Sequence, residues 1–491
     1  MTTAVIWFRR DLRLSDNPAL LAGLAGVDNL IPVYIHQSPI NQSWPIGSAS
    51  RWWLHHSLKA LDDSLCSLGS RLVLRHGNPL EILRELIKAH GAESVYWNRL
   101  YDPDEVARDA FIKKALRDDG LRVETFNGSL LFEPWEIRRP GGEPYRVFTP
   151  YWKAMQALGL HRPPEPAPAA MPPLAEGMHG DSLDSLELLP RIPWDLGFYD
   201  FWSVGEAAAK ARFTEFRDTN LASYKTGRDF PSQAGTSRIS PHLHFGEISP
   251  RQVVDFLRHD QDFGLAGGCE SYLREIAWRE FAAHLLFHFP HTADSPMDDR
   301  FLRLPWGKDY GDDLKRWEMG STGFPIIDAG MRELWHTGWM HNRVRMIVAS
   351  LLTKNLLIPW QEGARWFWDT LVDADLASNS MGWQWTAGCG ADAAPYFRIF
   401  NPILQGERFD PQGEYVRRWV PELSALPSRL IHKPWEVGDS KLADIGVKLG
   451  NDYPYPMVDL KASRERALKA FGVIKTPTVV PTEYSSTGRG A

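Results

Sequence analysis

The chain changes its hydrophobic period once, and that change constrains its fold more than any single motif does. Up to about residue 130, short apolar runs alternate with stretches whose apolar residues recur at three and four. Strands are expected over Ala4–Phe8, Leu30–Ile35, Arg71–Arg75, Ser94–Trp97 and Leu121–Phe126, with helices such as Ser50–Leu68 and Leu80–His90 between them. Pro79 stands at the head of the second helix, where its missing N–H costs nothing. Such alternation predicts a doubly wound parallel sheet. From Gly205 to about Phe471 the helical period runs alone, as in Gly205–Tyr224, Ser249–Arg258, Cys269–Phe289, Ile326–His336, Asn342–Leu356 and Gly363–Leu371. The expected class is therefore α/β plus all-α: a parallel-sheet domain over 1–130, a long connector over 131–204, a helical domain over 205–475 and a disordered tail over 476–491. Within the connector, 161–194 is rich in proline and has no period, as suits a strap wrapped over a surface.

Length and composition agree with two domains. A chain of 491 residues exceeds one ordinary core, and its 43% apolar and 24% charged residues are those of a globular protein. No run of about eighteen apolar residues occurs, so no membrane partner is expected. Arg9 and Arg10 follow the first apolar run, the wrong order for a signal peptide. Three widely separated cysteines, Cys66, Cys269 and Cys389, form no CxxC pair; neither a disulfide framework nor a metal site is expected, and a reducing cytoplasm is. A net charge of −6 means that any nucleic-acid surface must be local. Tryptophan is the outlier, at 21 against 14 tyrosines and 11 methionines. A large aromatic core would account for it, yet many of these tryptophans stand beside charged and amide residues.

Four stretches carry the chemistry. The turn after the first strand reads RRDLRLSDNP and holds no GxGxxG, which disfavours an ordinary dinucleotide site there. Thr236-Ser237-Arg238-Ile239-Ser240 sets three hydroxyls around one arginine, a fair diphosphate cradle; Ser240 before Pro241 also reads as a plain helix cap. In SYLREIAWREFAAHLLFHF, Glu275, Trp278 and Arg279 share one helix face. The ordinary reading is an i,i+4 ion pair between Glu275 and Arg279, but a solvated face gains little from Trp278. GWMHNRVRM puts Asn342, Arg345 and Met346 one turn apart, with Arg343 beside them. Asn342 offers a donor and an acceptor to a base-like edge, and Arg343 suits a phosphate. Finally, DADLASNSMGWQWTAGCGADAAPYFRIFNP, residues 373–402, sets Asp373 and Asp375 before Trp383 and Trp385 and breaks at glycines. That suits the wall of a cavity for a flat, polar-edged molecule as well as it suits an aromatic core. Arg345 is a natural partner for either aspartate, as an interhelical salt bridge if nothing more.

These motifs, with the WFRRDLRLSDNP opening, occur in the order seen in photolyases and cryptochromes. The chain resembles that family from residue 4 to about residue 437, and within it the bacterial cyclobutane pyrimidine dimer photolyases of class I or class III. The resemblance implies an N-terminal antenna-binding domain and a C-terminal helical domain that binds a folded FAD. It implies Tyr224 and the loop Thr236, Ser237, Arg238, Ile239, Ser240 around the phosphates, with Tyr272, Arg279 and Trp339 close by. Arg345 and Asp373 would pair beside the isoalloxazine, next to Ala374, while Asp375 accepts from its polar edge. Asn379 would stand near N5; as a neutral amide it is compatible with reduced, anionic FAD, whereas the aspartate of plant cryptochromes can deliver a proton there.

The implied activity is light-driven repair of a dimer flipped out of DNA. Trp278 and Trp385 would stack on the dimer, Glu275 and Asn342 would bond its edges, Met346 would pack against it, and Arg343 and Arg398 would hold phosphates. Trp383, Trp360 and Trp306 match the family's electron chain, with Trp317 the alternative at its outer end. An antenna pigment is implied too, methenyltetrahydrofolate ahead of a deazaflavin. Glu105 matches a folate-contacting acid, although the family's preceding asparagine is Asp104 here. The partner implied is DNA containing pyrimidine dimers, bound by a monomer. A cryptochrome photoreceptor is the rival reading, disfavoured by Asn379 and the short tail. A (6-4) photolyase is disfavoured because Asn342 and Met346 stand where that activity is associated with histidines. Pigment, class and strand preference stay open at this level.

Overall fold

The structure is a computed structural model and describes residues 2–37, 42–160, 162–174, 177–258 and 266–475; the expected tail lies outside them. Five strands, β1 Thr3–Phe8, β2 Asn29–His36, β3 Val73–His76, β4 Ala92–Asn98 and β5 Arg122–Phe126, form one parallel sheet in the order β3-β2-β1-β4-β5. β1 is buried on both faces. Ala4, Ile6 and Phe8 enter one core, and Val5 and Trp7 enter another beneath the opposite face. Helices α1 Pro18–Leu24, α2 Ser48–Ser67, α3 Pro79–His90 and α4 Pro103–Asp118 alternate with the strands. The signals at α3 act as expected: Asn78 Oδ1 accepts from the Leu80 and Glu81 amides, Pro79 opens the helix, and Gly91 closes it in the left-handed region.

The turn after β1, which lacks a phosphate loop, is instead a rivet between the two domains. Arg13 is buried and donates to the carbonyls of Asp16, Gly128 and Gly246. The Leu12 amide donates to the Phe245 carbonyl at 3.0 Å. Asp16 accepts from Ser249 and Arg251. The charges of RRDLRLSDNP are therefore spent on protein partners.

The rest of the described chain is helical: α5 Phe148–Leu158, α6 Leu196–Phe201, α7 Glu206–Thr219, α8 Tyr224–Gly227, α9 Ser240–His244, α10 Pro250–Arg258, α11 Ala266–His288, α12 Gly311–Glu318, α13 Pro325–Thr337, α14 Asn342–Ser350, α15 Trp360–Thr370, α16 Leu376–Ala387, α17 Pro402–Phe409, α18 Glu414–Trp419, α19 Asp439–Asp444 and α20 Leu460–Lys475. Three details differ from the sequence reading. The helix expected over Gly205–Tyr224 breaks after Thr219 and resumes as the single turn α8. The helix expected over Asn342–Leu356 ends at Ser350 and continues as a π turn, Leu351–Asn355. Within the expected connector, α5 belongs to the helical core: Phe148, Tyr151, Trp152 and Met155 are buried among residues of α7, α10 and α11. The proline-rich part does wrap the sheet domain, with Met171 donating to the Leu68 carbonyl and Asp181 to that of Leu74.

Candidate functional site

The hydroxyl loop precedes α9 and packs on α11. Ser237 and Tyr272 share a hydrogen bond of 2.7 Å, and the Tyr272 ring meets that of Tyr224 edge-on at 5.1 Å. Ile239 is buried, Thr236 is half-buried and Ser240 is exposed. Arg238 adopts φ 54°, in the left-handed region, which turns its guanidinium over the Trp339 and Phe201 rings at 5.0 and 4.6 Å. The loop thus combines hydroxyls and a cation on a rigid aromatic bed.

Next to it, Trp339 lies 6.0 Å from the Arg345 guanidinium, which donates to both oxygens of Asp373 at 3.1 and 2.9 Å. Nε of Arg345 donates to the Met340 carbonyl at 2.8 Å, fixing its fork. Ala374 is buried behind the pair. Asp375 caps α16 by accepting from the Ser378 amide at 2.8 Å and lies 3.5 Å from His244 Nδ1. Burial alone would raise this carboxyl, but His244 and the Arg279 guanidinium outweigh it and hold it far below the usual range. One turn on, the Asn379 amide donates to the Ala364 carbonyl on α15 at 2.9 Å.

The buried Trp383 meets Phe367 at 5.1 Å and Trp317 at 6.1 Å, both edge-on. Trp360 and Trp306 belong to the same cluster, Trp360 fully buried and Trp306 half-buried. Trp317, weighed as an outer member, is fully buried beside the inner one, its Nε1 bonded to the Val348 carbonyl at 3.1 Å. A surface end does not fit that position.

On the outer side, the i,i+4 ion pair of α11 is not the arrangement found. Arg279 donates to the Ser129 carbonyl at 2.7 Å and to that of Leu243, and Glu275 pairs with Arg228 instead. Arg343, which suited a phosphate, pairs with Asp229 at 2.6 Å and lies over the Phe409 ring. Trp278 stacks flat on Phe148 of α5, with centroids 3.7 Å apart and planes within 7°. Asn342 and Arg398 are exposed, Met346 and Trp385 half-buried. Arg398 is held by its carbonyl, which accepts from the buried Lys354 ammonium at 2.9 Å; burial pushes that amine down to about 7. Arg228, Asp229, His244 and Phe148 escaped the sequence reading. Only GRDF, five residues ahead of the hydroxyl loop, could have drawn the eye to the first two.

A narrow cleft opens at the domain seam between Arg10, Asp102, Ser129, His244, Arg279 and Asp375. Arg10 pairs with Asp102 at 2.5 Å and feels the charge of Glu105, which is itself engaged by Arg108. Among the described residues no group of three metal-ligating side chains occurs.

The donor set fits FAD. Two carboxylates match ring N–H donors in type, a neutral amide offers both a donor and an acceptor, and hydroxyls with one arginine suit a diphosphate. Trp383 Nε1 and His341 Nε2 are buried without a protein partner on the helices beside the Arg345–Asp373 pair.

Residues 4–170 match the DNA photolyase family and residues 272–473 the FAD binding domain of DNA photolyase. The chain belongs to the photolyase and cryptochrome family. It is 49% identical, over 96% of its length and 98% of the relative's, to a deoxyribodipyrimidine photo-lyase of Agrobacterium fabrum. The crystal structure of a bacterial class III photolyase from Agrobacterium tumefaciens superposes with a TM-score of 0.94 at 48% identity, covering 97% of this chain and 98% of that one. Cryptochrome-2 of Arabidopsis thaliana is 40% identical over 95% of this chain and 78% of its own.

Proposed function

We propose that the protein is a light-driven DNA photolyase that repairs cyclobutane pyrimidine dimers with reduced FAD, and that it is of class III. The observation that carries this reading is the Asn379 amide. Anchored to the Ala364 carbonyl, it is a neutral amide with no acidic proton to deliver to a flavin N5. FAD, when bound, supplies an electron donor that light excites. Arg345 and Asp373 orient the ring, Asp375 accepts from its edge, and Ser237, Tyr272 and Arg238 hold the phosphates. Trp278, braced by Phe148, and Trp385 stack on the flipped dimer, each such contact contributing roughly 1–3 kcal/mol. Glu275 and Asn342 bond the pyrimidine edges, Met346 packs against them, and Arg343 and Arg398 hold flanking phosphates. Trp383, Trp360 and Trp306 carry electrons inward to oxidised flavin, Trp306 being the half-buried end.

An antenna pigment completes this reading, methenyltetrahydrofolate ahead of a deazaflavin, on the sheet-domain side of the seam, where Arg10 pairs with Asp102 and Arg108 with Glu105. Three cysteines spread along the sequence, with no CxxC pair, accord with a reducing cytoplasm, and no described helix is long and apolar enough to cross a membrane. The protein acts as a monomer on this reading.

Prereduced protein is expected to restore thymines in dimer-containing oligothymidylate under blue or near-UV light. Full flavin loading and photoreduction without repair would transfer the assignment to a cryptochrome photoreceptor, which the likeness to Arabidopsis cryptochrome-2 makes the second reading. A (6-4) photolyase would instead repair only (6-4) products. Spectra of the extracted chromophores identify the antenna.

A further inference from the structure

The dipeptide Arg228-Asp229, just past α8, reaches in two directions. Arg228 pairs with Glu275 on α11, and Asp229 pairs with Arg343 on α14. All four side chains are partly exposed, between 22% and 37%, so they border the outer face rather than the core. Their charges sum to zero. Arg343 is further held over Phe409 at 4.4 Å, and Arg228 over Tyr224 at 5.3 Å.

On a surface that must grip a polyanion, cations already paired to carboxylates contribute little. An undamaged backbone that docks here exchanges a carboxylate for a phosphate at each arginine, and the net gain is small. A ligand that also engages a carboxylate changes this balance. An extruded pyrimidine presents an imide N–H that can donate to Glu275, and this releases Arg228 to the phosphate beside it.

We propose that Asp229 and Glu275 are internal counterions that neutralise Arg343 and Arg228 against undamaged DNA, and that a flipped dimer, by taking over Glu275, frees a cation for its own backbone. Asp229 is a positioning residue that masks Arg343. The inference rests on the photolyase reading of the site.

The test compares Asp229→Asn with the unsubstituted holoprotein in binding to an undamaged duplex and to the same duplex with one thymine dimer, each across a salt series. The substitution unmasks one cation. Undamaged-DNA affinity is expected to rise several-fold and its log–log salt slope to steepen by about 0.9. Asp229→Glu is expected to restore the original slope, which a merely structural role would not require. Glu275→Gln, read by binding alone, is expected to steepen the undamaged slope likewise. Melting temperature and FAD content confirm that each variant is folded, and Asp229→Ser replaces the Asn variant if that one is not. An unchanged slope, or weaker undamaged binding, in a protein that does prefer dimer DNA overturns the counterion role alone. Absence of any dimer preference in the unsubstituted protein overturns the repair reading with it.

Discussion

Gly363 and Trp383 are in direct contact: a Cβ at Gly363 would stand 2.0 Å from Cη2 of the indole. Gly363 lies inside α15 and Trp383 inside α16, so a bare helical turn is the seat of the ring. Glycine there costs α15 about 1 kcal/mol relative to alanine, and the seat is what it permits. Gly363→Ala is expected to push the indole out of its contacts with Phe367 and Trp317. The overpacking should cost about 1–3 kcal/mol in thermal melting and slow the photoreduction of bound FAD. Normal melting with normal photoreduction would show that the seat yields.

Trp383→Phe separates electron supply from repair. The smaller ring keeps most of the packing but interrupts the proposed relay. Photoreduction is expected to slow strongly, while chemically reduced protein keeps nearly all its repair. If repair by the prereduced variant collapsed as well, Trp383 would have to be a structural residue of the site.

Phe148 is the floor on which Trp278 stacks, and it comes from the stretch expected to be only a connector. Phe148→Leu preserves an apolar side chain but removes the stack, a loss of about 0.5–1.5 kcal/mol. Binding to dimer-containing DNA should weaken roughly two- to twelvefold, as that energy implies, with undamaged-DNA binding unaltered. Equal weakening toward both would instead locate Phe148 in the general DNA surface.

The contrast between Trp278 and Phe148 shows what the sequence could and could not disclose. Periodicity located every strand to within about two residues, because β1, β2 and β4 are buried on both faces and read as uninterrupted apolar runs. Arg345 with Asp373, and Ser237 near Tyr272, were legible because long ordered motifs carried them. Pairings across tens of residues were not. Arg228 meets Glu275 47 positions away and Asp229 meets Arg343 114 away, and nothing local marks either. The π turn after Ser350 escaped for another reason: LLTKN holds no glycine or proline to mark where the backbone bonds shift to i+5. Tryptophan abundance had two causes at once. Trp7, Trp52, Trp53 and Trp97 simply fill cores, whereas Trp339 supports the arginines of the candidate site.

Glu333 gives the protein a pH dependence that can be isolated. It is buried on α13 and accepts from Tyr415 at 2.6 Å. Burial drives its carboxyl from 4.5 up to about 7, against the opposing pull of the Tyr415 bond and the Arg238 charge. The folded-state value is raised, so between these two values the native state holds a proton that the unfolded chain has lost. Its stabilising contribution is complete below 4.5 and disappears as pH rises through about 7. Glu333→Gln mimics the protonated form at every pH. Relative to the parent, the variant should gain roughly 1–3 kcal/mol between about pH 5 and about pH 8, read as a widening difference in melting temperature. A difference that stays flat or narrows across that range would mean that Glu333 is ionised in the fold at all of these pH values.

Gly246 makes the domain seam dependent on one missing side chain. Its φ is +68°, and a Cβ there would lie 2.3 Å from the Arg10 carbonyl oxygen. The same residue accepts from Arg13 at 2.8 Å, and its neighbour Phe245 accepts from the Leu12 amide at 3.0 Å. Alanine at this position therefore faces two penalties. The left-handed backbone costs about 1–2 kcal/mol, and the clash can be relieved only by moving the turn that rivets the sheet domain to α9 and α10. That turn also carries Arg10, which lines the seam cleft. Gly246→Ala is expected to lose more than about 2 kcal/mol of stability and to retain less antenna pigment at a given temperature. Gly472→Ala, on α20 with nothing within 4 Å of the added carbon, is the control and should leave melting unchanged or raise it slightly. If both alanine variants melted alike, the seam would be tolerating a shift of the Arg10 backbone, and the rivet formed by Arg13 would be looser than its three carbonyl partners imply.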